Sequence, residues 1–298
     1  MRVFLTGATG FVGSAIVPEL IDAGHQVLGL ARSDSGADSL IRAGVQVHRG
    51  DIEDLDSLRA GAAQSDAVIH TAFNHDFSKF AANCEADRHV IEALGSVLVG
   101  SDRPFIITSA TGLANPASGQ LATEQHSPAS STVMPRAATE EAAASVGSRG
   151  VKVIIVRLPQ VHDTVKQGLV TYAIDLARQK GISAYIDNGL NRWPAAPRSD
   201  TAHLYRLALD NGKAGATYHA VAEEGVPLRQ IAEVVGHGLN VPVVSLTPEE
   251  AASHFGWLSH FVGFDLPASS AMTREQLGWN PTGSGLISDL QNMRYITE

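Results

Sequence analysis

At 298 residues, 44% of them apolar, the chain can bury a substantial core and form one large α/β domain or two smaller ones. A formal charge of -9 at pH 7 with no long basic run argues against a general nucleic-acid binder, whose affinity rests on neutralising phosphates. The single cysteine, Cys84, excludes an internal disulfide, and no stretch reaches the roughly 18 apolar residues of a membrane span. A strand opens at Met1-Arg2 in place of a signal peptide. The expectation is a cytoplasmic protein with a small-molecule partner, no nucleic acid, no membrane and no metal, and with a homodimer left open.

The first element is a strand over residues 3–6. Directly after it stands Thr6-Gly7-Ala8-Thr9-Gly10-Phe11-Val12-Gly13, followed by the helical pattern Phe11, Val12, Ile16, Leu20, Ile21. Strand, glycine turn and helix in this order create an anion site, because the free N–H groups and positive dipole end of the helix face across the loop. Gly7 permits the tight turn, Gly10 lets backbone approach a pyrophosphate, and Gly13 lets the helix pack close on the strand. Pro18 removes one backbone bond from that helix. Strands follow at 26–31, 45–49, 67–71, 104–109 and 151–157, with helices at 38–43, 77–98 and 135–148 among them. Short apolar strands alternating with helices imply parallel strands covered on both faces. The result is a Rossmann-type, doubly wound α/β sheet with its ligand at the carboxyl ends of the strands. After Arg157, prolines from Pro159 to Pro281 punctuate shorter segments, with helices predicted at 168–180, 201–210, 228–236 and 248–254. The pattern predicts a Rossmann domain over 1–160 and a smaller C-terminal substrate lobe over 161–298, continuous with it. The Ser-, Ala-, Gly- and Pro-rich stretch 116–131 reads as a flexible loop near the site.

Strand two ends Leu28-Gly29-Leu30-Ala31-Arg32-Ser33. An enzyme preferring NAD places an acid here to accept bonds from the ribose hydroxyls; this chain places Arg32, then Ser33 and Ser35. A guanidinium can bond a 2′-phosphate, so the expected cofactor is NADP(H), with Asp34 and Asp38 as contrary charges. Asp51-Ile52 after strand three suits the adenine amino group and ring, or else a helix cap. His70-Thr71-Ala72-Phe73 ends strand four with small residues that leave room for ribose and nicotinamide.

Together these residues resemble the extended and atypical short-chain dehydrogenase/reductases, the NAD(P)-dependent epimerase/dehydratase-like group. The resemblance runs through Thr6–Gly13, Asp51-Ile52, His70–Ala72, Thr108-Ser109, Arg157-Leu158-Pro159 and the stretch Gly189–Leu209. It implies cofactor contacts at Gly7, Thr9, Gly10, Phe11, Val12, Gly13, Arg32, Ser33, Asp51, Ile52, Thr71, Ala72, Phe73, Arg136 and Pro159. It implies that Ser109, ending strand five, bonds the substrate oxygen. In the family a Tyr follows, then three residues and a Lys that holds the nicotinamide ribose. If Glu140 is the family's helix acid, Arg136 stands at the Lys position and Thr132 at the Tyr position. No Tyr occurs before Tyr172. An Arg cannot give a proton at neutral pH, since its pKa exceeds about 12. His75, after strand four, is the candidate proton donor, with His162, Tyr172 and Tyr185 as alternatives. The catalytic set is therefore Ser109, Arg136 and His75.

In the second half, Gly189-Leu190-Asn191-Arg192-Trp193-Pro194 resembles the family's substrate loop, and Ser199 or Asp200 is placed to cap a helix. Arg192 and Arg198 are candidates to hold a nucleotide diphosphate. The run from Ala251 to Pro267, with Phe255, Trp257, Phe261 and Phe264, suits a small aromatic or alicyclic substrate, or equally the lobe's own core. The leading expectation is an NADP(H)-dependent oxidoreductase passing hydride to or from a small carbonyl or alcohol. Its rivals are an NADP(H)-binding sensor or scaffold that has lost chemistry, and a sugar-nucleotide epimerase or dehydratase.

Overall fold

The computed structural model describes residues 1–114, 116–117 and 120–295. Among the described residues, twelve strands and twelve α-helices are laid down in chain order. In the first half these are β1 (Arg2–Thr6), α1 (Gly13–Asp22), β2 (Gln26–Ala31), α2 (Asp34–Arg42), β3 (Gln46–Arg49), α3 (Leu55–Ala63), β4 (Ala67–His70), α4 (Phe80–Ser96), β5 (Pro104–Ala110), α5 (Ala138–Ser148) and β6 (Lys152–Leu158). The second half adds β7 (Gln160–His162), α6 (Val170–Lys180), β8 (Ser183–Ile186), β9 (Arg192–Pro197), α7 (Arg198–Asn211), β10 (Thr217–His219), β11 (Glu223–Pro227) and α8 (Leu228–Leu239). It closes with β12 (Val243–Leu246), α9 (Pro248–Phe255), α10 (Ser259–Val262), α11 (Ala271–Leu277) and α12 (Leu286–Asn292).

Seven strands form one parallel sheet in the order β3-β2-β1-β4-β5-β6-β10. The strand alternation assigns side chains to its two faces. Val3 and Leu5 point into a core with Ile16 and Leu20 of α1 and Tyr205 and Leu209 of α7. Phe4 points the other way, among Leu58 of α3, Ile91 of α4 and Val146 of α5. The chain turns outward in both directions from the β1–β4 pair, where Thr6 lies beside His70. That is the topological switch point, and a crevice opens there at the carboxyl ends of the strands. The glycine loop after β1 and the segment after β4 are its two walls.

The domain boundary expected at residue 160 does not survive in the sheet. α7 packs against α1, and β10 closes the sheet beside β6 with His219 opposite Arg157. A three-residue strand carries too little pattern to be seen in the sequence. The smaller lobe is built from a three-stranded sheet, β11-β9-β7, and the parallel pair β12-β8. Its core gathers Trp193, Ile231, Phe255, Leu258 and Leu290. Strand β9 carries Pro194 and Pro197, which hid it from the sequence pattern.

Other boundaries shift in physically readable ways. The helix expected over 77–98 begins as a 3-10 turn, Phe77–Lys79, capped by Asp76. The one expected over 135–148 begins as a 3-10 turn, Pro135–Ala137. α2 starts earlier than expected because Ser33 caps it, accepting from the Gly36 N–H at 3.1 Å. Asp200 does not cap α7. Its carboxylate instead accepts from the N–H groups of Thr282 and Gly283, fastening the C-terminal segment. No helix among the described residues is long and apolar enough to cross a membrane.

Candidate cofactor cradle and active site

At the first wall, Gly7 adopts φ +71°, a left-handed conformation that disfavours any side chain. A Cβ there would stand 2.7 Å from Thr71 Oγ1 and 2.8 Å from the Ala72 nitrogen. A Cβ on Gly13 would lie 2.1 Å from the Gly7 carbonyl oxygen. The Gly10 N–H donates to that same carbonyl at 2.8 Å. No side chain caps the start of α1; the Ser14, Ala15 and Ile16 N–H groups are taken by the Gly10 and Val12 carbonyls, while those of Phe11, Val12 and Gly13 have no partner among the described residues. Thr9 and Gly10 are exposed, Phe11 and Val12 half-buried. These residues fit a dinucleotide pyrophosphate. Arg198 of α7 holds the cradle in place. It donates to the Phe11 carbonyl at 2.6 Å, stacks on the Phe11 ring at 4.8 Å, and bonds Ser14 and Asp163. Arg198 is thus engaged by the loop and is not arranged to hold a substrate diphosphate.

At the adenosine edge, Arg32 is 82% exposed and 3.6 Å from Asp51. Asp51 also accepts from the Glu53 N–H, while Ile52 packs against the core. The sequence reading missed Arg49, at the end of β3. It donates to the Ser33 carbonyl and to Asp34, each at 2.7 Å. The signal was available in principle, since β3 follows β2 in the sheet and its end neighbours Ala31. Asp34, counted against a phosphate, is charge-paired.

Beyond the switch point, Thr71 donates to the Thr6 carbonyl at 2.8 Å and the Ala72 N–H faces Thr6 Oγ1 at 3.4 Å. Behind them lies a buried polar chain. Thr6 bonds His70 Nδ1 at 2.7 Å, and His70 Nε2 donates to Asp87 Oδ1 at 2.9 Å. The other Asp87 oxygen accepts from Arg136 at 2.6 Å and from Thr139 at 2.5 Å. Arg136 also bonds the Thr139 hydroxyl and donates to the Thr108 carbonyl at 3.3 Å. Burial pulls the Asp87 carboxyl upward, but Arg136 and the hydrogen bonds from His70 and Thr139 overcome it and hold the group well below the usual carboxylate range. Asp87 lies outside the family positions quoted from the sequence. Its signal was a charged residue at Cys84, Asp87, Ile91, Leu94 spacing, inside the apolar stripe of α4. Arg136 itself is 15% exposed, its guanidinium covered by the Phe73 ring at 4.2 Å.

Ser109 is 3% exposed and donates its proton to Glu140 at 2.6 Å. Glu140 is gripped bidentately by Arg157, at 2.8 and 2.7 Å. A serine has one O–H to give, and this one is taken by a buried carboxylate. The structure therefore places Ser109 as a support of the Glu140–Arg157 pair, not as a donor to a substrate oxygen. Thr108 is likewise engaged, with the fully buried Tyr205 hydroxyl at 2.6 Å. Pro159 follows β6, half-buried, on the same side of the sheet.

Of the candidate proton donors, His75 stands exposed in the segment after β4, edge-on to Phe73 and Phe77. Desolvation by its neighbours, then the positive charges of Lys166 and Arg136, push its pKa below the ordinary imidazole value. His162 is 0% exposed and locked to Asp289 at 2.6 Å, which removes it from the rim where the sequence put it. Tyr172 sits among aromatic rings, and Tyr185 faces Arg229 on the far side of the lobe. Arg192 is held by both oxygens of Asp265, at 3.0 and 2.9 Å, so it too is spent within the protein. Cys84 is buried, its thiol pushed up to about 11 by burial.

Comparison with known proteins places these features in company. The model of the family described as NAD(P)H-binding matches residues 7–184. An uncharacterised protein of Schizosaccharomyces pombe is 48% identical over 99% of this chain and 100% of its own length. The UDP-glucose 4-epimerase of Streptomyces lividans is 26% identical, over 97% of this chain and 94% of its own. The structure of a dTDP-glucose 4,6-dehydratase from Streptomyces venezuelae, with NAD bound, superposes with a TM-score of 0.78 at 19% identity. The match covers 99% of this chain and 96% of that one, and shows a shared fold.

Two consequences of the buried network are measurable. Ser109→Ala is expected to lower stability by about 1.5–3 kcal/mol, the worth of a hydrogen bond to a charged group. Urea unfolding reads this, while turnover of the folded protein stays within about twofold. Asp87→Asn leaves Arg136 buried beside a neutral partner and is expected to cost about 3–5 kcal/mol at pH 7. Because the native pKa of Asp87 is depressed, that contribution is present above the ordinary value of 3.8 and is lost as pH falls below it toward the native pKa. The gap between wild type and variant, followed by urea unfolding against pH, should close in that direction.

Proposed function

This chain belongs to the NAD(P)H-binding family, and from that premise we propose that it is an NADP(H)-dependent oxidoreductase of the extended short-chain dehydrogenase/reductase kind, acting on a small carbonyl or alcohol. A nicotinamide dinucleotide held in the crevice would supply or accept the hydride. The chain supplies the rest. The glycine loop and the open start of α1 hold the pyrophosphate. Arg32, with Ser33 and Ser35, receives the 2′-phosphate, while Arg49 neutralises Asp34 beside it. Thr71, Ala72 and Phe73 line the crevice past the switch point. Arg136, charge-paired with Asp87, ties α4 and the start of α5 to the end of β5 and stacks on the Phe73 ring. His75 gives the proton to the oxygen as the carbonyl is reduced and takes it back in the oxidative direction.

The observation that carries this reading is the position of His75. It is an exposed titratable side chain at the end of the crevice opposite the Arg32 edge, in a wall whose serine and threonine hydroxyls are committed elsewhere. The epimerase reading draws on the relatives, but the two arginines it would use for a nucleotide diphosphate, Arg192 and Arg198, are both tied to protein partners.

NADPH is expected to bind more tightly than NADH. Arg32→Asp should weaken NADPH by about tenfold, 1.4 kcal/mol, and narrow or reverse the preference. Equal wild-type affinities for the two cofactors, measured by fluorescence titration, would remove the 2′-phosphate assignment. A general acid must be protonated to act, and the His75 pKa is lowered from 6.5. The rate of carbonyl reduction is therefore expected to be highest in acid and to fall as pH rises through a value below 6.5. His75→Ala should flatten that profile without weakening NADPH. A protein that binds NADPH yet reduces no member of a ketone and aldehyde panel would instead be a sensor of the cofactor.

A further inference from the structure

The far end of the crevice is lined by rings from both halves of the molecule. Phe77 lies face to face with Trp257, ring centroids 4.3 Å apart and planes 7° apart. Tyr172 stands edge-on to both, at 5.7 and 5.1 Å. Phe80 and Phe261 extend the cluster, and Phe73 joins it to Arg136. Core aromatics of this protein such as Phe4 and Phe105 are 0% exposed, whereas none of these six is fully buried and Trp257 is 36% exposed. Half-exposed rings gathered at a crevice mouth serve a ligand better than they serve a core. Val133, beside Thr132, and Val165, beside Lys166, are exposed as well, at 78% and 79%.

We propose that the substrate is a carbonyl compound carried on a planar aromatic ring, taken between Phe77 and Trp257 as the two part. The inference rests on the reductase reading above. Two parallel faces are suited to a flat ring. An inserted ring exchanges one stacked contact for two, and Tyr172 offers its edge-on contact to whichever ring fills the slot. A saturated ring of the same size is too thick and has no face to stack. A nucleotide sugar finds no spare arginine for its diphosphate, because Arg192 and Arg198 are engaged. His75 is edge-on to Phe73 and to Phe77, at 5.3 and 6.1 Å, so a carbonyl attached to the ring lies on the side of the cluster where the imidazole stands.

The test compares 2-acetonaphthone with its fully saturated decalin analogue on the NADPH-loaded protein. Trp193 and Trp279 are 1% exposed, so quenching of tryptophan fluorescence by the ligand reports Trp257. Expected are quenching by the naphthyl ketone that is absent in Trp257→Phe, a KM at least tenfold below that of the saturated ketone, and a rise in KM of fivefold or more in Phe77→Leu. NADPH affinity should be unchanged in both variants. Reduction of the two ketones with equal KM overturns the ring slot and leaves the reductase reading standing. Quenching without reduction of either ketone supports the slot and overturns the reductase reading. No quenching beyond that of Trp257→Phe overturns the slot whatever the turnover.

Discussion

A single buried carboxylate sets the geometry of this site. Asp87 sits in the apolar stripe of α4, where an unpaired charge is not tolerated. Its partners come from β4 through His70 and from the start of α5 through Arg136 and Thr139, and Arg136 continues to the backbone of β5. Satisfying one charge therefore fixes two strands and two helices against each other at the carboxyl ends of the sheet. The same bonds hold the Arg136 guanidinium against the protein. In the family a lysine at this place presents its charge to the ribose. Here the charge is matched by a carboxylate behind it, and the guanidinium face is covered by Phe73.

A second buried pair, Glu140 with Arg157, repeats the arrangement one helical turn further along α5 and takes the Ser109 proton with it. No tyrosine stands at the start of α5, the strand-end hydroxyls of Thr108 and Ser109 are committed inward, and an exposed imidazole, His75, stands in the segment after β4. That segment is a different kind of support. It is a loop that runs into the short 3-10 turn Phe77–Lys79, which leads directly into α4, and Phe77 stacks on Trp257 of the second lobe.

The crevice is therefore asymmetric. At the Arg32 edge it is charged, exposed and open to solvent, with Arg49 setting the local balance. At the other end Arg136 is paired with Asp87 and Arg157 with Glu140, and the surface is aromatic. On the reading proposed above, charge serves the cofactor and the aromatic end serves the substrate by shape and stacking.

What the sequence determined by itself was whatever depends on local pattern. The glycine loop, the parallel strands of the first half and the cofactor class follow from the order strand, Gly7, Gly10, Gly13, helix, and from periodicities of two and 3.6. Those signals lie within a few residues of one another. The position of Arg32 was legible for the same reason. Tertiary structure decided everything that depends on which side chains meet across long separations. Asp87 meets Arg136, Ser109 meets Glu140, Arg198 returns to Phe11, and Phe77 stacks on Trp257. It also returned α7 and β10 to the first sheet across the expected boundary. A side chain's residue type states what it can bond, but only packing fixes whether that capacity is spent inside the protein or left facing a ligand. That distinction separates Ser109 and His162, which are spent, from His75, which is not.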